Sequence, residues 1–189
     1  MTTIAAVKKG QKICIGCDSL TLFGRRKEKN SQLQFSVGKI ISRKSFHVGF
    51  SGAAVWHEII DNYFKGENKK IDFNDVDSAY LEMLNFHKAL KEEYYLTPQH
   101  NEGDIFESSE FLLLFVNSHG IFEVDWMRNI REYSKMAAIG TGDEYALGAM
   151  KAVYEKEDDP KSIVKIGLEA AAKFDKKTEL PAFFHIINL

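Results

Sequence analysis

The chain has 189 residues, 44% of them hydrophobic and 28% charged, with a formal net charge of −2. This length suits one domain over residues 1–189, and so small a charge removes the electrostatic case for nucleic acid, which needs a basic patch. The longest apolar run, Phe111 to Val116, is only strand-length, and the N-terminus lacks the apolar core and cleavage site of a signal peptide, so a soluble protein in the cytoplasm, with no membrane contact, is expected.

In chain order, the first expected elements form a hairpin: Thr3 to Val7 and Ile13 to Gly16, joined by the polar turn Lys8-Lys9-Gly10-Gln11. Cys14 and Cys17, the two cysteines, lie three apart on the second strand, so their thiols diverge to opposite faces. With no second pair to complete a zinc site, they read as buried strand residues. A polar stretch from Arg25 to Gln34 reads as a loop, followed by strands over Lys39 to Ile41 and Phe46 to Phe50.

From Ala53 the spacing turns helical, with Trp56, Ile59, Ile60 and Tyr63 on one face, until Gly66 and the charged run Glu67 to Lys70. A longer helix capped by Asn74 or Asp75 would bury Val76, Tyr80, Met83, Phe86 or His87, Leu90 and Tyr94, ending before Pro98 and the polar stretch to Asp104. Strands follow over Phe111 to Val116, Ile121 to Trp126 and Ser134 to Ile139. Helical spacing returns at Tyr145, Leu147, Ala149, Met150 and Val153. A last helix starts at Asp159-Pro160 with a face of Ile163, Gly167, Ala170, Ala171 and Phe174, and the chain closes with a strand over Ala182 to Ile187. Helix pairs grouped between runs of antiparallel strands imply an α+β fold of stacked sheets with helix layers outside.

Thr2 directly follows Met1, and so small a second residue favours removal of the initiator methionine. Its hydroxyl would then stand beside its own free α-amine, whose ordinary pKa of about 7.7–8.0 makes it a usable base near neutrality. Asp18 ends the second strand sixteen residues later, Lys39 precedes Ile40 and Ile41, and Phe50-Ser51-Gly52-Ala53 turns from strand to helix. Further on lie Gly140-Thr141-Gly142 and Asp175-Lys176-Lys177-Thr178. The glycine turn lacks the Lys-Ser/Thr ending of a phosphate loop. The six histidines, His47, His57, His87, His100, His119 and His185, form no helical pair with a suitable acid. No metal or cofactor is therefore expected.

In this order and at these element boundaries, the motifs resemble those of the proteasome β-subunit family, including its bacterial HslV-like members. The resemblance implies the four-layer α-β-β-α sandwich of N-terminal nucleophile hydrolases, with two antiparallel sheets between helix layers. It implies Thr2 as nucleophile, Asp18 and Lys39 as its electrostatic partners, and the Gly52 amide as oxyanion donor. Lys39 fits the motif better than Lys44, although strict counting falls on Gln34. Thr141, Asp175 and Thr178 would surround the N-terminal amine, with threonine at two places where the family usually has serine. The implied activity is a threonine-type endopeptidase acting on polypeptides in a self-compartmentalising homo-oligomeric ring, with an ATPase unfoldase left open as partner. An N-terminal-nucleophile amidase and a non-catalytic ring subunit remain as alternatives.

Overall fold

In a computed structural model of the chain, residues 2–23, 26–29, 38–65, 73–97 and 107–189 are described, 21–23 and 26–29 as backbone only. The expected helix breaks at Glu67 to Lys70 and Pro98 to Asp104 lie outside them, as do Met1 and Gln34. The elements in order are β1 (Thr3–Lys9), β2 (Lys12–Cys17), β3 (Leu20–Phe23), β4 (Arg26–Lys29), β5 (Ile40–Ser42) and β6 (Phe46–Gly52), then α1 (Trp56–Tyr63) and α2 (Val76–Glu92). Next come β7 (Phe111–Asn117), β8 (Ile121–Val124), β9 (Ile130–Tyr133), β10 (Met136–Gly140), α3 (Asp143–Val153), α4 (Pro160–Phe174) and β11 (Phe183–Asn188).

Strand order is β10-β1-β2-β11 in one sheet and β5-β6-β7-β8-β9 in the other, with β3 and β4 paired separately. Side-chain alternation along β1 and β6 divides the core into three slabs. Ile4, Ala6, Ile13, Ile15, Leu114 and Val116 pack between the sheets. Ala5, Val7 and Cys14 face Met150, Ile163 and Leu168 of α3 and α4. Phe46, Val48 and Phe115 face Trp56, Ile60, Met83 and Phe86 of α1 and α2. The layers therefore run helix, sheet, sheet, helix, as in the expected sandwich. At Gly49 the sheets approach so closely that a Cβ would stand 2.7 Å from Ile4, which explains a glycine in the middle of β6.

Local signals set the helix starts. The Asp75 carboxylate accepts the Ser78 amide at 2.8 Å while the Ser78 hydroxyl accepts the Asp75 amide at 3.1 Å, a reciprocal capping box that satisfies two main-chain donors at the start of α2. Asp159 caps α4 ahead of Pro160. Among the described residues no helix is long and apolar enough to cross a membrane.

Several expectations are corrected. Val76 and Tyr80 are 38% and 46% exposed, because the buried arc of α2 runs through Ala79, Glu82, Met83, Phe86, Ala89 and Leu90. Phe174 is exposed and its ring lies against Tyr145 at 5.7 Å. The stretch read as a loop from Arg25 contains β4, paired with β3 from Leu20↔Lys29 to Phe23↔Arg26. β9 was not expected at all, and β8 stops at Val124 rather than Trp126. Main-chain pairing makes β4 and β9, whose largely polar side chains give hydropathy little to detect. The two thiols do part: Cys14 lies in the helix-side slab and Cys17 between the sheets. Burial pushes both up to about 12, which leaves them protonated.

The fold also joins two scattered histidines. His47 of β6 and His185 of β11 meet with ring centroids 4.8 Å apart, and Ser42 Oγ lies 3.0 Å and 3.1 Å from their Nδ1 atoms. Burial, followed by the neighbouring His185, pushes His47 down from 6.5 to about 4. The native state thus prefers the neutral ring, a contribution fully present above pH 6.5 and lost as pH falls towards about 4. The thermal midpoint is expected to drop across that window, and His47→Gln to flatten the drop; identical profiles for the two proteins would refute this.

Candidate active site

The site begins where three strand ends meet. Thr2 lies between the end of β2 and the end of β10. The Asp18 amide donates to the Thr3 carbonyl at 3.2 Å, and the Thr141 amide donates to the Thr2 carbonyl at 2.9 Å. β1 pairs with β10 from Thr3↔Gly140 and with β2 from Ile4↔Cys17. Gly140 has φ of +103°, and a Cβ there would strike the Thr2 carbonyl oxygen. Only glycine lets β10 end so close to residue 2.

Thr2 and Thr3 face opposite ways if the alternation of β1 is continued one residue outward. Thr3 then points with Ala5 and Val7 towards α3 and α4, and Thr2 points with Ile4 and Ala6 into the gap between the sheets. Across that gap β6 ends at Ser51-Gly52, with Ser51 Oγ 3.4 Å from where a Gly140 Cβ would sit. Gly52 closes β6 opposite Phe111, ahead of α1 rather than in its first turn. Among the described residues it joins neither of the hydrogen-bonded groups below.

The first group is built on Asp18, which is 0% exposed. Its Oδ1 accepts Lys39 Nζ at 2.6 Å and the Thr3 amide at 2.9 Å. Its Oδ2 accepts the amides of Leu20 at 3.0 Å and Glu179 at 3.3 Å. Lys39, just ahead of β5, is 6% exposed, whereas Lys44 is exposed. Burial pushes the Lys39 ammonium below its ordinary value of 10.5, and the Asp18 charge opposes that shift. The result is a buried ion pair held by amides on its far side.

The second group is built on Asp175, which follows α4. Its Oδ2 accepts the hydroxyls of Thr141 at 2.6 Å and Thr178 at 2.7 Å, and its Oδ1 accepts the Lys177 amide at 3.1 Å. Burial raises this carboxyl, but the Thr141, Thr178 and Lys177 bonds outweigh it and hold the pKa below the usual 3.8. Thr178 Oγ1 also lies 2.5 Å from Thr3 Oγ1.

Of the seven residues singled out in the sequence, Asp18 and Lys39 thus touch each other, and Thr141, Asp175 and Thr178 form a second cluster. The second cluster meets Thr2 through the Thr141 amide and the first meets the next residue's amide, whereas Gly52 stands at the neighbouring strand end. Sequence reasoning passed over Thr3, whose amide meets the first cluster and whose hydroxyl meets the second. A second threonine beside Thr2 was the available signal. Both threonines are buried, Thr2 at 3% and Thr3 at 0% exposed, and the Thr3 hydroxyl is engaged with Thr178, so it is not free to attack a carbonyl. Chemically, the arrangement sets a cation–carboxylate pair and a hydroxyl–carboxylate chain beside the Thr2-Thr3 segment. Among the described residues no set of three or more His, Cys, Asp or Glu side chains converges as metal ligands would. A cavity of about 710 Å³ lies elsewhere, between α2 and the β8–β9 link, lined by Val76, Tyr80, Arg128 and Ile130 among others.

The chain matches no model of a known protein family. It is 30% identical over 173 residues to the ATP-dependent protease subunit HslV of Caldicellulosiruptor saccharolyticus, covering 90% of this chain and 89% of that relative. Among solved structures it is similar to Thiobacillus denitrificans BPH in complex with epoxomicin, at 33% identity and a TM-score of 0.89, over 99% of this chain and 98% of that one. HslV of Trypanosoma brucei, at 16% identity and a TM-score of 0.69 over 99% of each chain, shares the fold.

Proposed function

The chain belongs to the HslV-like proteasome β-subunit family of threonine peptidases, and from that membership we propose that Thr2 is its nucleophile once Met1 has been removed. The observation that best supports this reading is the pairing of Lys39 with Asp18, at 2.6 Å, directly behind the first residues of β1.

The reaction then runs in two halves. Thr2 Oγ1 gives its proton to its own α-amine and forms a bond to the peptide carbonyl carbon. The Gly52 N–H donates to the oxyanion, and the nearby Lys39 charge lowers the cost of the alkoxide-like oxygen. Collapse breaks the C–N bond, and the α-ammonium returns the proton to the departing amine. Water, deprotonated by the same α-amine, hydrolyses the acyl ester and frees Thr2. Thr141, Asp175 and Thr178 orient that amine. The lowered pKa of Asp175 keeps a negative charge beside it, which favours its taking up the proton.

The substrate is an unfolded polypeptide or peptide. The working form is a homo-oligomeric ring in the cytoplasm, fed by an ATPase partner of the kind that the name of the Caldicellulosiruptor relative implies. Epoxyketones react with both the hydroxyl and the free amine of an N-terminal threonine. Intact mass after epoxomicin treatment should show one adduct per chain, on a protein lacking Met1, with the modification mapped to Thr2. A processed, assembled protein that stays unlabelled would favour the non-catalytic ring subunit.

A further inference from the structure

We propose that Thr3 is a positioning residue for the reaction, its hydroxyl holding Thr178, Asp175 and Thr141 in place while its amide holds Asp18. The inference rests on Thr2 being the nucleophile. Its basis is the direction of the hydrogen bonds. An ionised carboxylate only accepts, so the hydroxyls of Thr178 and Thr141, at 2.7 Å and 2.6 Å from Asp175 Oδ2, both donate to it. Thr178 has then spent its one proton. At its 2.5 Å contact with Thr3 Oγ1 it can only accept, so Thr3 donates.

The chain of bonds therefore runs Thr3 to Thr178 to Asp175, with Thr141 donating from the other side. It closes on itself, because the Thr141 amide donates to the Thr2 carbonyl at 2.9 Å. This loop starts and ends on the first two residues of the processed chain. It spans 175 positions at the Thr3–Thr178 link, so it ties the N-terminus to the segment after α4. The Thr3 amide at 2.9 Å from Asp18 Oδ1 joins the loop to the Lys39 ion pair. Packing fixes the hydroxyl: a Cβ at Gly142 would strike Thr3 Oγ1 and lie 3.1 Å from Thr178 Oγ1. Thr3 is 0% exposed, and its branched side chain is stiff about χ1. Its part is to hold the groups around the Thr2 amine, without touching substrate.

Thr3→Val keeps the shape and the amide and removes only the donor. It is expected to lower kcat on a peptide substrate by roughly 10- to 100-fold with KM within about twofold. Thr3→Ser, which restores the donor, should regain most of the lost kcat, and both variants should elute as the wild-type assembly on size exclusion. Wild-type kcat in Thr3→Val, or an equal loss in Thr3→Ser, would overturn the proposal, the latter because a restored donor would then not restore the reaction. If Thr3→Val does not assemble, Thr178→Val removes the acceptor of the Thr3 hydroxyl together with the donor to Asp175, and full kcat there overturns the proposal equally. Epoxomicin labelling separates the two levels. An unlabelled wild type removes the nucleophile reading and this one with it, whereas a labelled wild type beside a fully active Thr3→Val removes only this one.

Discussion

Thr2→Ala is expected to lose peptide turnover by roughly 10⁴-fold or more while folding and assembling as the wild type does. Alanine keeps the α-amine and is as small as the residue it replaces, so removal of Met1 is not impeded. It also keeps the carbonyl that accepts the Thr141 amide at 2.9 Å, so the β1–β10 register survives. Only the attacking oxygen is gone. None can be borrowed from Thr3, whose hydroxyl is buried and bonded to Thr178. Steady-state turnover of a fluorogenic peptide, read beside size exclusion and a thermal midpoint, checks the result. An assembled Thr2→Ala protein that still cleaves peptides would remove the nucleophile from Thr2.

Lys39→Met is the second large effect, and it strikes stability and activity together. Methionine matches the length of the lysine stem but leaves Asp18, 0% exposed, without the cation now 2.6 Å away. Breaking one side of a buried pair costs about 3–5 kcal/mol in general. The amides of Thr3, Leu20 and Glu179 still donate to Asp18, so the lower end of that range is expected. Turnover should fall by roughly 10²- to 10⁴-fold, because no positive charge remains to favour the alkoxide-like oxygen. Adding Asp18→Asn to Lys39→Met neutralises the stranded carboxylate, so the double variant should recover part of the stability and none of the activity. Urea unfolding and peptide turnover on the two single variants and the double variant close the cycle. Recovery of turnover in the double variant would show that Lys39 serves only to balance Asp18.

Much of the architecture was legible because it is written in short-range signals. The β1–β2 hairpin has its polar turn between apolar runs. The starts of α2 and α4 have Asp75 and Asp159 in capping positions. The order of strands and helices follows from the switch between two-residue and helical spacing. What stayed hidden had no such signal. β4 and β9 are held by main-chain pairing of largely polar segments. The buried arc of α2 depends on which side the five-stranded sheet approaches, and several of its residues suit either face.

The candidate site divides along the same line. By itself the sequence determined which groups are present and where each stands in its element. Thr2 directly precedes β1, Asp18 follows β2, Lys39 precedes β5, and Thr141, Asp175 and Thr178 occupy turns. Only the tertiary structure decided which of them meet. Lys39 and Asp18 are 21 positions apart, and Thr141 and Asp175 are 34 apart. Their contacts arise from the packing of strand ends and of the segment after α4, which no local periodicity encodes. It also decided that Thr3, unremarked beside Thr2, carries bonds to both clusters. Alternation along β1 turns Thr3 to the face of Ala5 and Val7, where its hydroxyl is locked against Thr178.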